Sequence, residues 1–189
     1  MCHLGKPAAM ASGGPATDPA APETAGPDGY GLHPLDAADA AFRALTTGPR
    51  PLALNPARLA PGLPDQPVPL GELKALLLHP ATPATARNKV WAELVRRART
   101  GAPAGVVGLT GVALPGLRRA VAAPSAAYRG EVEDLQTEVL TGFLAAMRGL
   151  DPDDLDRAPL ASRLCWAAWR AGQALAPCRH RSSPAGLLT

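Results

Sequence analysis

The chain has 189 residues, room for one domain or for one domain with an unstructured appendage. Apolar residues make up 47% of it and aromatics only 4%, while Gly and Pro number 19 and 22. The net charge of +3 is too small to imply nucleic acid by itself. No apolar run approaches the ~18 residues of a membrane-spanning helix, and the opening MCHLGKPAAMASGG has no apolar signal core. Cys2, Cys165 and Cys178 are odd in number and form no CxxC pair, which argues against a disulfide framework. A soluble cytoplasmic protein is the expectation.

Taken in chain order, residues 1–34 hold six Pro and six Gly with almost no large apolar side chains. Such a stretch buries too little surface to offset the entropy of ordering it, so it is expected to be largely disordered. Residues 35–83 read as a Pro-rich segment with two short helices. The first is 35–48, which Asp36 could cap and Phe42 and Leu45 could dock, with Gly48-Pro49 ending it. From Pro49 to Pro69 the prolines recur too often for a helix or a central strand, and an extended crossing of a surface is expected. The second helix is Leu70–His79, stopped by Pro80.

Residues 84–176 read as a small all-α helical bundle. Its first helix, about 84–100, places Val90, Trp91, Leu94, Val95 and Ala98 on one side. Its second, about 104–123, should kink or split at Pro115, which removes a backbone donor mid-helix. The third, Glu131–Arg148, puts Val132, Leu135, Val139, Leu140, Phe143 and Met147 on one face at the helical period. Acids occupy its first turn and Arg148 its last, as the helix dipole favours. An acidic connector, DPDDLDRAP, leads to a fourth helix, 159–175, with Pro159 at its first position and Leu160, Leu164, Ala168, Trp169 and Leu175 on the buried side. Residues 177–189 read as a flexible tail.

The charge alternates along the bundle. Residues 84–130 carry eight Lys/Arg against one acid, 131–158 eight acids against two Arg, and 159–189 four Arg with no acid. Neighbouring helices that neutralise one another, or a charged partner surface, would each account for it.

Candidate chemistry is sparse. The acids Asp151, Asp153, Asp154 and Asp156 fail the calcium-loop pattern, which needs Gly at its sixth position and Glu at its twelfth; Asp156 and Ser162 stand there. Cys165, Cys178 and His180 match no zinc spacing and lack a fourth ligand. The glycine-rich Gly101–Gly111 has neither G-K-[ST] nor G-x-G-x-x-G. His3, His33, His79 and His180 are scattered. No catalytic, cofactor-binding or metal-binding residue is assigned and no small-molecule substrate is evident; the chain is expected not to be an enzyme.

One stretch resembles a known family. Glu133-Asp134-Leu135-Gln136-Thr137-Glu138-Val139 opens a helix that continues through Phe143-Leu144 to the turn Leu150-Asp151-Pro152-Asp153, followed by Arg163-Leu164-Cys165-Trp166-Ala167-Ala168-Trp169-Arg170. With the upstream Ala113-Leu114-Pro115-Gly116-Leu117-Arg118-Arg119-Ala120, this is similar to region 2 of the sigma-70 family, over about residues 104–172. The resemblance implies a protein-binding module that docks on the clamp helices of core RNA polymerase. The polar residues of that contact would be Asp134, Thr137 and Glu138, with Thr137 standing where the family carries Gln. It further implies that Arg163, Trp166, Trp169 and Arg170 are the nucleic-acid contacts, toward promoter DNA, although two Trp at this spacing also suit a core. The family's C-terminal helix-turn-helix has no room before Thr189, so an incomplete sigma factor is expected. A helical interaction protein unrelated to transcription is the alternative, and a small enzyme the third.

Overall fold

The computed structural model describes residues 33–125, 128, 130–151, 154 and 159–175. The expected disordered segment before His33 and the tail after Leu175 lie outside them, as do Cys2, His3, Asp153, Asp156, Cys178 and His180. Six α-helices run through the described residues, as an all-α bundle requires: α1 (Pro34–Thr46), α2 (Leu70–Leu78), α3 (Ala84–Arg99), α4 (Pro103–Ser125), α5 (Val132–Arg148) and α6 (Leu160–Leu175).

The centre is α4, which packs against the other five helices. It continues through Pro115 as one helix, so of the kink or split expected there from sequence the split does not occur. A helix held by packing against five neighbours continues where local propensity would end it. Small residues let the neighbours close in: the Phe42 ring lies directly on Gly111, where a Cβ would collide with it. By length and composition α4 could also cross a membrane, although Gly, Pro and Thr interrupt its apolar run in the sequence. Its most apolar window is 56% buried inside the protein, as the core helix of a bundle would be.

The Pro-rich segment joins the same core. Between α1 and α2 the chain forms two short antiparallel strands, β1 (Ala53–Leu54) and β2 (Val68–Pro69), with Leu54 opposite Val68. A 3₁₀ turn, Pro56–Arg58, lies between them, with Asn55 Oδ1 accepting from the Ala57 N–H at 3.1 Å. Leu54 and Val68 are buried, as are Leu35 and Phe42 of α1 and Leu70, Leu73 and Leu77 of α2. The stretch from Pro49 to Pro69 is therefore more than a surface crossing. Proline is tolerated because each strand has a single partner and therefore an outer edge that needs no ladder bond.

Two helix starts are capped from elsewhere in the chain. The Leu35 N–H of α1 donates to Gln136 Oε1 of α5 at 3.1 Å. The Leu160 N–H of α6 donates to Asn88 Oδ1 of α3 at 2.9 Å. These bonds satisfy orphan donors that the first turn cannot satisfy itself. Asp36, the expected cap of α1, instead sits inside the first turn and pairs with Arg118 of α4 at 3.3 Å.

The α5 and α6 pair makes the most extensive helix–helix contact. Gly142 approaches Ala171 and the Ala167 carbonyl, and Gly172 faces Val139 and Leu135; a Cβ at either position would be crowded. Leu135, Val139, Phe143 and Met147 are buried, whereas Val132, expected on that face, is 46% exposed because it opens the helix at the bundle's margin. Leu175, expected to be buried at the same end of the pair, where the close of α6 lies beside the start of α5, is likewise exposed. Arg99 Nη1 of α3 donates to the Leu150 carbonyl at 2.7 Å and fixes the turn beyond α5.

Candidate functional site

The polar residues expected to meet a partner lie on the outer side of α5. Asp134, Thr137 and Thr141 are exposed and Glu138 is half-buried. At 100° per residue these four fall in one arc opposite Leu135, Val139, Phe143 and Met147. Thr137 Oγ1 donates to the Glu133 carbonyl at 2.9 Å, so its hydroxyl is turned back onto the helix and offers a partner its methyl and a lone pair. Gln136, within the apolar arc, is spent on capping α1.

The expected nucleic-acid contacts lie on α6 and divide. Arg163, Trp166 and Arg170, three and four residues apart, form one exposed strip, and Trp166 is 59% exposed. The core reading therefore fails for Trp166. Trp169 is half-buried and packs against the core cluster. The two indoles meet edge to face with centroids 4.9 Å apart. Arg163 Nη1 lies 3.6 Å from Asp154 Oδ2, a contact between two exposed side chains.

On the other side of Trp166 the helices enclose a groove of about 670 Å³ that sequence reasoning did not anticipate. Its floor is Val112, Ala113, Gly116 and Ala120 of α4, and its walls come from the end of α2, the start of α3 and the first half of α6. All three tryptophans of the chain, Trp91, Trp166 and Trp169, line it. Three cations, Lys74, Arg87 and Arg119, stand along it, and no Asp or Glu is among the described residues that line it. The one signal in the sequence was the small set of tryptophans; their convergence depends on helices far apart along the chain.

Cys165 lies half-buried in this groove, with Gly116 opposite its sulfur. Burial pushes its thiol above the usual cysteine value, so at neutral pH it is protonated and a poor nucleophile. No three His, Cys, Asp or Glu side chains converge as metal ligands among the described residues. Comparison with known proteins finds no family model, no curated protein and no solved structure that matches this chain.

Proposed function

We propose that this chain is a sigma-70-like, non-catalytic module that binds protein, docking the outer face of α5 on a basic helical partner of the kind the polymerase clamp presents. One observation supports the reading above the others. Asp134, Thr137 and Thr141 stay exposed on one face while Leu135, Val139, Phe143 and Met147 on the opposite face of the same helix are committed to the core. Such a face offers charge without disturbing the fold, which is what an electrostatically guided contact uses. On this reading Asp134 and Glu138 supply the charge and Thr137 sits between them. Arg163, Trp166 and Arg170 would be the residues that meet DNA, by stacking and phosphate attraction; Trp169 is too enclosed to share that role.

The test is a pull-down of the full chain on core RNA polymerase. Binding should weaken with salt, and Glu138→Arg should lose roughly 1–3 kcal/mol of affinity without changing the helical signal. If the folded chain ignores polymerase, or if Glu138→Arg binds as well as the parent, the reading is wrong. The alternative is then an interaction protein outside transcription.

A further inference from the structure

We infer that the groove between α2, α3, α4 and α6 is a second docking site, independent of the α5 face, and that its occupant is an acidic amphipathic helix of a partner protein. The floor is apolar, and two large side chains at its margin are left in water: Trp166, and Leu78 at 64% exposure. Tryptophan and arginine are the residues that most often anchor interfaces, in just such partly enclosed settings.

Shape decides between a small ligand and a helix. The groove is open along one side, and both Val112 and Ala123 of α4 line it. At 1.5 Å per residue these positions lie about 16 Å apart, three turns of a helix. A drug-sized ligand needs walls around most of its surface. An amphipathic helix needs only a floor for one face, and it keeps its polar face in solvent.

Charge decides the sign of the occupant. Lys74, Arg87 and Arg119 border the groove with no acid among its described lining. Arg87 is held in place: its Nη2 donates at 2.7 Å to the carbonyl of Thr82, and the Thr82 hydroxyl itself donates to the Leu76 carbonyl at the end of α2. Its Nε is buried and has no hydrogen-bond partner. A buried donor without an acceptor is costly, so the rest of the guanidinium is the part of Arg87 left to meet a carboxylate at the rim. An acidic helix laid on the floor brings carboxylates to the three cations and leucines to Trp166 and Leu78.

The three tryptophans make the full-length chain its own reporter. The probe is a blocked peptide of roughly 12–16 residues with leucine at i, i+3, i+4 and i+7 and glutamate or alanine elsewhere, beside a counterpart with lysine for glutamate. The acidic peptide should shift the tryptophan emission saturably and bind at least about ten-fold more tightly than the basic one. Arg119→Glu, which leaves Lys74 and Arg87 against one acid, should shrink that preference several-fold. Leu78→Asp should weaken the acidic peptide about ten-fold with an unchanged thermal melt, since Leu78 is already exposed. Equal binding of the two peptides, or binding of neither by a folded chain, would sink the proposal. So would saturation of the same signal by dodecanoate or a single-stranded oligonucleotide that the acidic peptide cannot displace, or a groove closed by self-association in sedimentation. Polymerase binding by Leu78→Asp and Arg119→Glu, scored alongside, separates this site from the α5 face.

Discussion

Phe143 is fully buried on α5 beside Leu135, Val139 and Met147. Truncating it removes a large apolar side chain from packing that cannot fully collapse around the space. Phe143→Ala should therefore cost about 3–5 kcal/mol in a denaturant titration. A loss below about 1 kcal/mol would mean the ring is not packed as described. Gln136, one residue beyond Leu135, shows how a polar side chain can belong inside an apolar arc. Its amide oxygen is the acceptor for the first turn of α1, a hundred residues earlier in the chain. Periodicity reads such a residue as a blemish in the stripe, because the partner that explains it is remote in sequence.

At the scale of elements, α1 is fastened to α4 by Phe42 on Gly111 and by charge. Arg118 of α4 reaches Asp36 at 3.3 Å and Asp39 at 3.4 Å, and Asp39 also takes Arg43 at 2.6 Å. Burial pushes the Asp39 carboxyl upward, but the two guanidiniums outweigh it and hold the group below its usual value. A carboxyl depressed in the folded state stabilises fully above its unfolded value, about 3.9, and loses that contribution as pH falls through the folded one. Arg43 and Arg118 are half-exposed or more, so the pairs are screened. Arg118→Ala should cost only about 0.2–1 kcal/mol at neutral pH. It should also flatten the acid limb of the melting curve below about pH 4. An acid limb as steep as the parent's would place the pH dependence elsewhere.

For the whole molecule, the helices of the bundle were legible because their apolar stripes repeat at the helical period, and α3 and α5 end where their residues say they should. The charged face of α5 was legible for the same reason: it is what the stripe leaves over. The remote caps, the passage of α4 through Pro115 and the tryptophan-lined groove were not, since each depends on contacts between distant segments. So does the place of the Pro-rich stretch, whose composition speaks for irregular backbone but whose Leu35, Phe42, Leu54, Val68, Leu70, Leu73 and Leu77 all enter the core. Together they cover apolar surface of α4 that would otherwise face water. Residues 84–176 expressed alone should therefore lose cooperative unfolding and bind a hydrophobic dye through the uncovered face of α4, while keeping much helical signal. Adding back residues 33–83 as a separate chain should restore a sharp melt if packing, and not covalent continuity, is what the bundle lacks. A fragment that melts cooperatively near the temperature of the full chain would show that α1, the strand pair and α2 merely coat a bundle already complete.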